Sequence, residues 1–129
     1  PFEHRSFGEE LALCQRYYLL VANGDLQPIV SGAGYSSSVF YGVYPFPVEM
    51  RSLPTLETVT GSSYYRFIRN GTSDFFDELE IELGSSGSSY ITTRACEFHV
   101  DAGLSHTAGH SGWLRAANSS AYVALTAEL

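Results

Sequence analysis

From residue 17 onward, short runs rich in Tyr, Phe, Val, Ile and Thr alternate with clusters of Gly, Ser, Asn and Asp. The first kind of residue suits a pleated, half-buried surface, and the second tolerates tight turns. This punctuation constrains the fold more than any other feature, because it predicts many short strands instead of a helix bundle. Expected strands cover 17–22, 39–48, 55–60, 64–68, 77–83, 89–93, 95–100, 112–117 and 121–127. The turn signals between them are Asn23-Gly24-Asp25, Gly32 to Ser38, Asn70-Gly71, Gly84 to Ser89, Gly109 to Gly112 and Asn118-Ser119-Ser120. Leu79-Glu80-Ile81-Glu82-Leu83 alternates strictly, so one face should be buried and the other solvated. Pro45, Pro47 and Pro54 cannot donate ladder hydrogen bonds, which predicts an edge or a bent strand there.

One segment departs from this pattern. Ser6-Phe7-Gly8-Glu9 fits a capping box, with Glu9 and Glu10 in the first turn and Arg16 in the last. Phe7, Leu11, Cys14 and Tyr18 then form one apolar stripe at helical spacing. A helix over 7–16 is expected, giving way to strand near Tyr17. The fold class is therefore all-β, a jelly-roll-like β-sandwich with one short N-terminal helix. At 129 residues, without an internal repeat or a long linker, the chain is expected to form a single domain over 1–129.

Fourteen acidic residues against seven basic ones leave a net charge of −7, and all seven basic residues are Arg. Phosphate backbones are bound by Lys- and Arg-rich surfaces, so nucleic acid is not an expected partner. The same charge disfavours anionic membrane surfaces, and no apolar run approaches the ~18 residues of a membrane span. No basic segment followed by an apolar one marks a signal peptide. Cys14 and Cys96 are too few for a disulfide framework and are read as free thiols. A bridge between them stays open as the alternative, since spacing does not establish geometry.

Motifs for catalysis are missing. No GxSxG elbow, HExxH or phosphate loop occurs, and no catalytic residue is assigned. Asp74, Asp77, Glu78, Glu80 and Glu82 could include a glycosidase pair, but alternating carboxylates on a strand are first of all its solvated face. His99, Asp101, His106 and His110 lie within twelve residues without a recognised ligand spacing, so neither a metal nor another cofactor is expected. Aromatic residues are the remaining clue. Tyr35, Tyr41, Tyr44, Phe75, Phe76 and Trp113 lie in or beside the turn signals. Rings with nearby Asp, Asn or Arg suit glycans, because a sugar has an apolar face and hydroxyls that need partners. Core packing and self-association compete for the same residues. Tyr35, Asp74, Phe75 and Trp113 are the expected glycan contacts, presented on loops.

Pro1-Phe2-Glu3-His4-Arg5 and Gly8-Glu9-Glu10-Leu11-Ala12-Leu13-Cys14-Gln15-Arg16-Tyr17-Tyr18 closely resemble a segment that opens the C-terminal domain of tailed-bacteriophage tail fibres, tailspikes and related virion proteins. Phe46-Pro47-Val48-Glu49-Met50-Arg51-Ser52-Leu53-Pro54-Thr55 is similar to a middle segment of that family. Gly112-Trp113-Leu114-Arg115-Ala116-Ala117-Asn118 and Ala127-Glu128-Leu129 resemble its ending. The resemblance implies a C-terminal tip domain of a longer chain, located in the virion and assembled in the host bacterial cytoplasm. It implies a homotrimer that binds host cell-surface polysaccharide or lipopolysaccharide without enzymatic activity. A structural module for trimerisation, head decoration or tail assembly, with no glycan bound, is the competing expectation.

Overall fold

The computed structural model describes residues 6–81 and 91–127. Local chemistry sets its first element. The Ser6 hydroxyl accepts a hydrogen bond from the Glu9 amide at 3.2 Å and caps helix α1 (Phe7–Gln15). The expected stripe is present, but it is not buried. No residue of α1 is buried, and Phe7 is 82% exposed. A stripe covers a core only if the chain that follows folds back over it, and here the chain runs straight into a strand.

Among the described residues ten strands follow: β1 (Tyr18–Asn23), β2 (Pro28–Gly34), β3 (Phe40–Pro45), β4 (Thr55–Val59), β5 (Tyr65–Arg69), β6 (Thr72–Phe76), β7 (Glu80–Ile81), β8 (Ala95–Val100), β9 (Ser111–Ala116) and β10 (Tyr122–Thr126). They form an antiparallel three-stranded sheet, β1-β10-β4, and an antiparallel seven-stranded sheet, β6-β5-β9-β2-β3-β8-β7. The chain is thus all-β with one helix, in the sandwich-like arrangement that its punctuation predicts. Leu19, Val123 and Leu125 of the smaller sheet share one core with Phe40, Phe67, Phe98 and Leu114 of the larger. Tyr65 is fully buried between the sheets, and its hydroxyl accepts from the Tyr122 amide of β10 at 3.3 Å.

Two strands were hidden in apparent turns. β2 lies partly in the Gly32 to Ser38 segment. Its glycines serve packing: Gly32 pairs with Gly112 of β9, and each lies under an aromatic ring. A Cβ at Gly32 would meet the Tyr41 carbonyl and the Phe40 ring, and one at Gly112 would meet the Ile68 carbonyl and the Phe67 ring. β6 lies in the segment expected to be a loop after Asn70. Asn70 and Gly71 have φ of 40° and 77°, and Arg69 pairs with Thr72. A two-residue turn with positive φ at both positions matches the strand twist, so the chain returns at once as a strand. Asp74 and Phe75 are therefore strand residues, contrary to the loop placement expected of them, whereas Trp113 lies in β9, within the strand expected at 112–117.

Smaller differences follow from pairing. β7 is limited to two residues within the expected 77–83, and 82–90 lie outside the described residues. Of the strand expected at 89–93, Ile91 makes only an isolated bridge to Cys96. Pro45 closes β3 at a level where β2 has already parted from it, so one side of the strand is unpaired there, and Pro54 directly precedes β4, an edge strand of the smaller sheet. Cys14 is exposed and Cys96 buried, and both thiols are free.

Candidate functional site

Alternate residues of a strand share a face, so register decides which side chains meet. On β5, Tyr65 and Phe67 point into the core, which leaves Arg66 and Ile68 on the outer face. On β9, Leu114 and Ala116 are buried, which leaves Trp113 and Arg115 outside. On β6, Phe76 is buried and Phe75 is outside. The ladder aligns these in two rows. One row runs Ser31, Trp113, Ile68, Ser73, and the other Pro28, Arg115, Arg66, Phe75. Phe75 and Trp113 remain 48% and 40% exposed although they lie on regular strands. The Arg66 guanidinium lies 6.0 Å from the Phe75 ring centroid, and that of Arg115 lies 5.9 Å from the Trp113 ring.

Phe75 also borders a cleft of about 420 Å³ along the sheet edge that β6 forms. Thr60, Gly61, Ser62, Asp77 and Glu78 line it with Phe75. The Ser63 amide donates to Asp77 Oδ1 at 2.8 Å and holds the neighbouring turn in place. An aromatic ring beside hydroxyls and carboxylates can take the apolar face and the hydroxyls of a sugar together.

Asp74 faces the other way. Its carboxylate receives Arg69 Nε at 3.0 Å and Nη2 at 3.1 Å, with both side chains largely buried. Arg69 Nη2 also donates to the Ser105 carbonyl at 2.7 Å, and Arg69 Nη1 lies 3.4 Å from His110 Nδ1. The His106 ring is enclosed beside this pair, edge-on to Phe67 and 3.8 Å from Asp74. Its two nitrogens have no hydrogen-bond partner among the described residues. Asp74 thus ties the loop after β8 to the β5–β6 hairpin.

Tyr35 is 75% exposed at the far end of the larger sheet, where its amide donates to the Val39 carbonyl at 2.8 Å. It meets Tyr41 edge-on at 5.3 Å, and Tyr41 stacks on His99 at 4.9 Å. Three strands of the larger sheet, β5, β9 and β2, separate Tyr41 on β3 from Phe75 on β6, so Tyr35 and Phe75 do not form one pocket. The four groups His99, Asp101, His106 and His110 do not gather either. His106 and His110 join the Arg69 network. His99 and Asp101 instead meet Glu80 of β7, with one ligand atom of each within 4.8 Å of the others. That trio could hold a cation, although the 3.3 Å contact between His99 Nδ1 and Glu80 Oε1 already engages two of its members.

The structure therefore brings Phe75 and Trp113 onto one face and keeps Asp74 and Tyr35 apart from it. Arg66 and Arg115 were missed in the sequence. The signal was the alternation Tyr65-Arg66-Phe67-Ile68 and Trp113-Leu114-Arg115, which marks both arginines as sharing a side with Ile68 and Trp113. No family model, curated protein or solved structure matches the chain.

Proposed function

We propose that this domain is a non-enzymatic, C-terminal tip module of a tailed-bacteriophage tail fibre or tailspike, and that it binds glycan on the host cell surface. The observation that carries this reading is Phe75, half-exposed on a rigid strand, with the cleft of Thr60 to Ser62, Asp77 and Glu78 on one side and the Arg66–Trp113 face on the other. Leaving two large rings about half exposed at a solvated strand surface forgoes burial of roughly 1 kcal/mol each, which a ligand would recover. In a virion, several copies of a shallow site act together, and linked sites multiply avidity without any new contact. The test is an array of bacterial surface polysaccharides probed with the fluorescently labelled domain. Binding that is lost in Phe75→Ala supports the reading, and an assembled domain that retains no glycan overturns it.

A second reading has its own observation. α1 and β1 expose Phe7, Leu11, Leu13, Tyr17, Tyr18 and Leu20 along consecutive turns of one short segment. A nine-residue helix is marginal in water without tertiary cover. Association of copies through this segment, as a homotrimer, would supply that cover. A module of this kind could serve trimerisation or assembly without binding any glycan. Light scattering of the domain, beside the array, separates the two.

A further inference from the structure

We infer that the glycan recognised by this face is anionic, carrying carboxylate or phosphate groups that sit over Arg66 and Arg115. The inference rests on the glycan-binding reading and adds the ligand's charge. Arg66 and Arg115 are directly paired across β5 and β9 on the outer face. Like charges placed opposite each other across a ladder are destabilising, so the arrangement opposes folding unless something compensates it. Among the described residues no carboxylate provides the compensation, and only the aromatic ring beside each guanidinium offsets part of it. The chain holds twice as many acidic as basic residues, yet neither arginine forms an ion pair among the described residues. Arg69 and Arg94, by contrast, each meet a carboxylate.

The neighbours preserve the charge. Each guanidinium lies beside an aromatic ring, Arg66 beside Phe75 and Arg115 beside Trp113, and neither ring offers an acceptor oxygen. Arg66 Nε is shielded from solvent and has no hydrogen-bond partner in the described structure. A planar guanidinium has a fixed fork of donors that matches carboxylate and phosphate oxygens, and it keeps its charge at any physiological pH. The rows also give a path. A chain whose apolar sugar face rests on Phe75 at the cleft crosses Arg66 and then Arg115 along one row, with Trp113 beside Arg115 in the neighbouring row. Two cations in line with a ring, and a second ring flanking the far cation, suit a polysaccharide whose charged substituents recur along its length.

The experiment is affinity electrophoresis of the full domain through gels containing polygalacturonate, a phosphomannan, dextran or DNA, at low and high salt. Retention by polygalacturonate or phosphomannan, but not by dextran or DNA, is expected, and the two acidic polymers distinguish carboxylate from phosphate. Arg66→Gln with Arg115→Gln should weaken that retention about tenfold or more, and Lys at both positions should restore part of it. The melting temperature of the Gln variant should be unchanged or raised, because a like-charge pair is removed. Equal retention by dextran and the acidic polymers, or retention that survives Arg66→Gln with Arg115→Gln, overturns the anionic assignment and leaves glycan binding standing. Equal retention by DNA and by the acidic sugars also overturns it, since charge alone would then suffice. Absence of retention by every polysaccharide, here and on the array, overturns both.

Discussion

The Tyr65 hydroxyl, on β5 of the seven-stranded sheet, donates to the Val59 carbonyl on β4 of the three-stranded sheet. The same oxygen accepts from the Tyr122 amide, and Val59 and Tyr122 are themselves ladder partners. A single hydroxyl therefore closes the end of the smaller sheet and ties it to the larger one.

Tyr65→Phe keeps the ring and removes this tie. The Val59 carbonyl and the Tyr122 amide would lose a partner in a partly buried setting, at a cost of about 1–3 kcal/mol. Urea denaturation should show a lower midpoint with an unchanged slope. A midpoint equal to that of the parent would mean that water replaces the hydroxyl freely.

Alkaline pH should unfold the domain earlier than charge repulsion alone predicts. Burial pushes the Cys96 thiol up from 9.0 to about 12, with nearby Glu97 adding to the effect. Burial also raises the Tyr65 and Tyr44 phenols. A group whose folded pKa is raised holds its proton more tightly when folded, so its contribution is complete below the unfolded pKa and is lost as pH climbs through the folded one. Stability should therefore fall steadily from about pH 9 upward, and Cys96→Ala should flatten the part of the slope that belongs to the thiol. An unchanged slope in that variant would show that the thiolate is not the cause.

Asp74 and Trp113 should behave as opposites. Asp74→Ala strips the partner from the largely buried Arg69, at about 3–5 kcal/mol of stability. Trp113→Ala removes a ring that is 40% exposed on the outer face and should cost about 1 kcal/mol, while glycan retention falls. Thermal melts beside retention assays give both numbers. A Trp113 variant as unstable as the Asp74 variant would assign the ring to packing.

Self-association should report through Cys14, which lies on the exposed stripe of α1. In dilute solution Cys14 should react with a maleimide while buried Cys96 does not, and denaturant should expose both. If copies associate through α1 and β1, Cys14 labelling should slow as concentration rises, together with growth in scattering mass. Leu11→Glu should abolish both effects. Labelling that is independent of concentration, with a scattering mass of one chain, would remove this segment as the interface.

Much of the fold was legible because its signals are local. The Ser6 cap, the apolar–polar alternation around Glu80 and the Asn70-Gly71 turn act through neighbours in the chain. The site was less so. Phe75 and Trp113 were visible as aromatics near turns; Trp113 fell within the strand expected at 112–117, but the strand placement of Phe75 depended on recognising that two residues suffice for the turn at Asn70. Gly32 read as a turn residue because a glycine in sequence carries no mark of whether it serves rotation or close packing, and here the Phe40 ring decides.

The sequence by itself determined an all-β chain with one capped helix, a strong acidic balance and a supply of rings without a catalytic motif. These follow from composition, periodicity and short-range backbone preference, which need no knowledge of distant partners. Only the tertiary structure decided that Asp74 turns inward to Arg69 while Phe75, one residue later, faces solvent. Only the β5–β9 pairing placed Arg66 opposite Arg115. Register between strands far apart in sequence is set by which faces can be buried together, and shifting it by one residue would send every side chain of a strand to the other side.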